Sequence, residues 1–121
     1  MAHIALAVRD QERSRRFYEA YFDFDPETAR VAADGVLLIE GPDDVLLALG
    51  QTDESIRLPR FLHFGFRAAE SPAQIHAFRD RLANDGVELV EEWDEPDYVS
   101  VKCRDPDGYM IEFAWEPEPT G

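Results

Sequence analysis

The sequence predicts an α+β fold built from two repeated βαβββ modules, and three observations carry that prediction. Residues 3–22 (HIALAVRDQERSRRFYEAYF) match residues 63–82 (HFGFRAAESPAQIHAFRDRL) at an offset of 60, which sets His3 on His63 and Tyr18 on Phe78. Residues 41–49 (GPDDVLLAL) match residues 105–113 (DPDGYMIEF) at an offset of 64, which sets Pro42 on Pro106 and Ala48 on Glu112. Within each copy one helical period is flanked by alternating segments, so a duplicated half-domain explains the chain better than a single winding fold.

The elements follow in order. Residues 3–9 alternate as a strand that Asp10 closes as an N-cap, and the helix at about 11–22 carries Phe17, Tyr18, Tyr21 and Phe22 on one face. Strands are expected at 28–32, 35–40 and 44–49, the last two joined by the turn-forming Gly41-Pro42-Asp43-Asp44. In the second half a strand at 61–68 leads to Ser71-Pro72, an N-cap followed by a first-turn proline, and to a helix over 72–84 that Asn84-Asp85-Gly86 stops. Strands at about 87–93, 98–103 and 109–115 complete it, the last pair turning on Asp105-Pro106-Asp107-Gly108. The expectation is one domain over 1–121, with halves at about 1–57 and 58–116 and a frayed tail at 117–121.

Composition bounds the function. With 45% hydrophobic and 12% aromatic residues the chain is too apolar to be disordered, even at a net charge of −14. Its 26 acidic against 12 basic residues would repel phosphate backbones and anionic membranes, so neither nucleic acid nor a membrane is an expected partner. No apolar run approaches a bilayer span, and the N-terminus enters a strand without a signal-peptide pattern. The single Cys103 permits no internal disulfide, and a cytoplasmic location is expected.

Strand alternation then sorts side chains between the helix-packed face and the opposite one. Ile4, Leu6 and Val8 belong with the helices, which leaves His3, Ala5, Ala7 and Arg9 on the other side. By the same count His63, Gly65 and Arg67 face away from Phe64 and Phe66, and Met110, Glu112 and Ala114 face away from Ile111, Phe113 and Trp115. Tyr98, Ser100 and Lys102 face away from Val99, Val101 and Cys103. Two imidazoles and a carboxylate therefore fall on the non-helical faces. His76, on the second helix beside Ile75, is expected at the solvent edge or the core edge.

The opening H-x-x-L-x-V-x-D with S-x-x-F-Y (His3 to Tyr18) and the closing D-P-D-G-x-x-x-E-F (Asp105 to Phe113) resemble the vicinal-oxygen-chelate superfamily. That superfamily includes glyoxalase I, fosfomycin-resistance proteins, type I extradiol dioxygenases and bleomycin-resistance proteins. The resemblance spans essentially the whole chain. It implies that the paired modules form an incomplete, cup-shaped barrel, usually as a homodimer, and that a divalent ion in the cup is chelated by substrate oxygens. Carried over by position, the metal ligands are His3, His63 and Glu112. Such a two-histidine, one-carboxylate set suits Fe, Mn, Ni or Zn.

The same resemblance weighs against glyoxalase I itself and leaves a metal-dependent lyase, transferase or dioxygenase of this type, each with a departure from its family pattern. Glyoxalase I places a carboxylate ligand where this chain has Ala48, which can neither ligate nor accept a proton, and Glu40 stands too far along its strand to substitute. Methylmalonyl-CoA epimerases place a glutamine there. Extradiol dioxygenases carry a histidine shortly before the D-P segment, where this chain reads Glu92-Trp93-Asp94-Glu95-Pro96-Asp97-Tyr98. Fosfomycin-resistance enzymes carry a threonine where Ala5 stands. The expected function is a metal-dependent enzyme acting on a small molecule that offers two oxygens, with Lys102 and Tyr98 as catalytic candidates and Arg67, Ser100, Leu46, Ala48 and Met110 as substrate contacts. The alternative is a metal-free protein, similar to bleomycin-resistance proteins, that sequesters a small cationic compound. Val36, Leu38, Leu46 and Ala48 would give the first half an apolar wall, and Tyr98, Ser100 and Lys102 would give the second a polar one.

Overall fold

The computed structural model describes residues 1–118, so 119–121 of the expected tail lie outside the described residues. The chain divides into two compact units, the first ending at Pro59 and the second starting at Arg60.

In the first unit the order is β1 (Ala2–Val8), α1 (Gln11–Tyr21), a 3-10 turn (Pro26–Thr28), β2 (Arg30–Val31), β3 (Leu37–Glu40) and β4 (Val45–Gln51). The sheet runs β1-β4-β3-β2, with β1 parallel to β4 and the other pairs antiparallel. The Asp10 carboxylate caps α1 by accepting from the Arg13 amide at 3.1 Å. Leu6, Val8, Leu37, Ile39, Leu47 and Leu49 are buried together with Ser14 and Tyr18 of α1. Ala5, Ala7 and His3 are exposed between them, so the alternation in β1 is realised. The strand expected at 28–32 shrinks to Arg30–Val31. Asp25 accepts from the Glu27 amide, and Pro26 then starts a tight turn that runs to Thr28.

The second unit contains β5 (His63–Phe64), α2 (Pro72–Asn84), β6 (Leu89–Glu95), β7 (Tyr98–Arg104) and β8 (Met110–Trp115), with sheet order β5-β8-β7-β6. Ser71 caps α2 by accepting from the Gln74 amide at 3.3 Å, and Gly86 leaves the helix at φ +77°. Ile75, Val99, Val101, Phe113 and Ala69 form the buried cluster beneath α2, with Phe78, Leu89 and Trp115 packed against it. The strand expected at 61–68 survives as two residues and one isolated parallel bridge between Ala68 and Ala114. The ladder breaks at Gly65, where a Cβ would stand 2.7 Å from the Glu112 carbonyl oxygen, so only glycine lets the chain pass this close to β8.

The two sheets share one register. His3 pairs with Leu46 in the first, and the offsets of the sequence repeat carry that pair to His63 and Met110, which pair in the second. Ala48 and Glu112 are thus equivalent positions on equivalent strands.

Cys103 is buried beneath the second sheet, and burial pushes its thiol from the ordinary 9.0 up to about 12. The native state therefore holds this proton more tightly than the unfolded chain does. The stability it contributes is complete below pH 9 and is lost as pH rises from there towards 12, with about 4 kcal/mol as the upper limit. Denaturant titrations across that window are expected to show a falling midpoint, with a shallower fall for Cys103→Ala.

Candidate functional site

The face of the second sheet turned away from α2 can be mapped row by row. His63, Met110 and Arg104 lie side by side across β5, β8 and β7. In the next row Glu112, Lys102 and Glu91 line up across β8, β7 and β6. Beyond them come Ala114, Ser100 and Trp93. Alternation thus gathers the polar residues of three strands on the face that the core does not use.

His63 is half-buried, and its Nδ1 lies 2.7 Å from the Phe61 carbonyl oxygen. A carbonyl only accepts, so Nδ1 carries the proton in the neutral ring and the lone pair stands on Nε2. Glu112 is also half-buried, and its Oε2 accepts from the Tyr98 hydroxyl at 2.8 Å. Burial, followed by the bond to Glu112, raises the Tyr98 hydroxyl above its ordinary value of 10. Tyr98 therefore remains a donor at neutral pH. Lys102, with its side chain 13% exposed, donates to Glu91 Oε1 at 3.0 Å. The Trp93 indole donates to the same oxygen at 2.5 Å, and these two donors hold Glu91 below the usual carboxylate range. Ser100 is 2% exposed. Its Oγ makes no hydrogen bond of normal geometry among the described residues, although it lies near enough to favour ionisation of Tyr98.

A hollow of about 490 Å³ opens on this face, with Arg60, Phe61, His63, Glu91, Trp93 and Lys102 among its walls. Met110 and Arg104 also line it. In the first unit a separate hollow of about 360 Å³ is walled by Ala5, Ala7, Val36 and Ala48, with Gln51 and Thr52 at one end. The first unit therefore offers an apolar surface and the second a polar one. Leu46 is half-buried beside His3, on the same face of β4 as Ala48.

Not every expected residue joins the set. Arg67 lies beyond the break at Gly65, and its guanidinium sits 5.8 Å from the Phe113 ring, a residue packed beneath α2. Strand parity fails there because the regular strand has already ended. His76 sits at the solvent edge of α2, with Nε2 3.2 Å from Asp94 Oδ2. Glu91, Trp93, Arg60 and Phe61 escaped the sequence reading. A register shift between Leu89 and Glu91 inserts one extra residue into β6, which turns Glu91 and Trp93 onto the open face. No periodicity signals such a bulge. Among the described residues no three histidine, cysteine, aspartate or glutamate side chains are gathered into a metal cage. His63 and Glu112 nonetheless have the donor chemistry and supporting hydrogen bonds of metal ligands.

Fold and site together define a duplicated α+β protein with a donor-bearing sheet face. The model of the glyoxalase/bleomycin resistance protein/dioxygenase superfamily matches residues 1–113, and the chain belongs to that superfamily. Among solved structures it is similar to a possible glyoxalase from Bacillus cereus, at 24% identity and TM-score 0.76 over 97% of both chains. It is similar to the fosfomycin resistance protein FosX of Listeria monocytogenes complexed with Mn(II) and sulfate, at 17% identity and TM-score 0.78 over 98% of this chain and 90% of that one. Lactoylglutathione lyase from Agrobacterium tumefaciens matches at 20% identity and TM-score 0.70, over 95% and 92%. Comparison with curated proteins gives no match. Among the described residues no helix is long and apolar enough to cross a membrane.

Proposed function

We propose that the protein is a divalent-metal-dependent enzyme acting on a small organic substrate that presents two oxygens, with His3, His63 and Glu112 as the metal ligands. The observation that supports this most is the preparation of two donors on one sheet face. The Phe61 carbonyl leaves a lone pair on His63 Nε2, and the Tyr98 hydroxyl orients Glu112. His3 occupies the position in the first unit equivalent to His63. The superfamily neighbour holding Mn(II) agrees with this reading.

A bound divalent ion would supply a Lewis acid for substrate oxygens. The chain's own residues supply the rest. Lys102, held by Glu91, is a fixed positive charge for developing oxyanions. Tyr98, kept protonated by burial, is the available proton donor and also positions Glu112. Ser100, Met110, Leu46 and Ala48 shape the walls against which the substrate rests. Ala48 in place of a carboxylate argues against lactoylglutathione lyase chemistry for this chain. The reading includes a cytoplasmic homodimer burying well above roughly 1,000 Å².

The test is calorimetric titration of the full chain, first stripped by chelator, with Mn(II), Fe(II), Ni(II) and Zn(II). Uptake of one ion per chain is expected. If none of the four binds at protein concentrations in the tens of micromolar, the enzyme reading is overturned. A metal-free binder of cationic compounds then takes its place, and thermal shift with bleomycin examines that.

A further inference from the structure

In a chain of net charge −14, the hollow on the second sheet collects Arg60, Lys102 and Arg104 against a single lining carboxylate, Glu91. The three cations are not equivalent. Lys102 is paired with Glu91 at 3.0 Å and Arg104 with Glu88 at 2.8 Å. Arg60 has no ion pair or hydrogen bond among the described residues, which leaves one positive charge uncompensated at the rim. A guanidinium matches a carboxylate in a two-pronged geometry. The chain's overall repulsion of anions is screened beyond about 8–10 Å, so a local cation decides what enters.

The apolar part of the hollow is aromatic and exposed. Phe61 is 84% exposed and Trp93 is 46% exposed, a costly arrangement unless something flat covers them. Neither ring is loose. The Trp93 indole is held by Glu91 Oε1, and Phe61 stands edge-on to the His63 ring at 5.2 Å between centroids. Small-molecule sites typically occupy about 300–1,000 Å³, and this one at about 490 Å³ suits a single-ring ligand.

We infer that this hollow takes a small aromatic acid, with Arg60 clamping its carboxylate and Trp93 and Phe61 covering its ring. The inference names a substrate class for the site proposed above and shares His63 with it, but the clamp needs no metal ion. It can therefore be tested separately.

Benzoate is the probe, titrated by calorimetry and tryptophan fluorescence into full-length protein kept in chelator. Binding of one benzoate per chain is expected. Cyclohexanecarboxylate (same charge, no flat ring) and benzyl alcohol (same ring, no charge) should each bind at least tenfold more weakly. Arg60→Ala should weaken benzoate tenfold or more, Arg60→Lys should recover part of the loss, and Trp93→Ala should weaken it comparably. Both side chains are exposed, so these variants should keep the parent's unfolding midpoint. Equal affinity for benzoate and benzyl alcohol, unchanged affinity in Arg60→Ala and Trp93→Ala, or no benzoate binding at millimolar concentration overturns the inference. Such a failure alongside intact metal uptake leaves the metal proposal standing. Benzoate binding without metal uptake removes the metal proposal alone.

Discussion

Replacing His63 by alanine is expected to lower affinity for the divalent ion by more than about a hundredfold and to abolish turnover, while the fold persists. Loss of contacts that merely support a ligand already weakens metal binding 10–100-fold in known sites, and here the donor itself is removed. His63 lies on an edge strand of two residues and is only half-buried, so its loss leaves the cluster beneath α2 intact. Calorimetry with Mn(II) and the thermal midpoint of the metal-free protein separate the two effects. An unchanged ion affinity in His63→Ala would remove His63 from the site. A fallen midpoint in the metal-free variant would make the histidine structural.

The largest effect on stability is expected from Ile75→Ala, at about 2–5 kcal/mol. Ile75 is 1% exposed and sits on α2 in the buried cluster with Val99, Val101 and Phe113. Shortening it opens a cavity that a helix capped by Ser71 at one end and stopped at Gly86 at the other cannot easily close. Urea unfolding monitored by far-ultraviolet circular dichroism measures the loss. A change below about 0.5 kcal/mol, the range of a surface substitution, would contradict the packing described.

The repeat, the helix caps and the packed faces were legible in the sequence because each rests on short-range rules. Asp10 and Ser71 cap helices by local hydrogen bonds, and Leu6 and Val8 alternate with exposed alanines along a regular strand. The same alternation placed Glu112, Lys102 and Tyr98 on one face, and they meet there. What escaped depends on departures from regularity. Arg67 follows Gly65, where close contact with the Glu112 carbonyl ends the ladder, so counting by twos no longer gives its direction. Arg60 stands before the expected strand at 61–68 and Phe61 opens it with the parity of His63, but only the fold brings the two beside Lys102. The family resemblance named the candidate ligands, but the hydrogen bonds that fix the His63 tautomer and orient Glu112 are tertiary facts.

The spare residue in β6 shows that the order of a strand can matter as much as its content. With the shift between Leu89 and Glu91, Glu91 stands opposite Lys102 and Trp93 opposite Ser100. Suppose the same residues lay in an unbroken ladder running on from the pair Leu89 and Cys103. Val90 would then oppose Lys102 and Glu92 would oppose Ser100, while Glu91 and Trp93 would turn under α2. The lysine would lose its counter-ion, the hollow would lose its indole, and Glu91 and Trp93 would take the places opposite Val101 and Val99 where Glu92 and Asp94 now pair with Arg79 and His76 of α2. A compensated insertion and deletion flanking this strand would leave length and composition untouched yet invert its two sides. Spacing is here a heritable determinant of chemistry, and a substitution scan of β6 would never sample it.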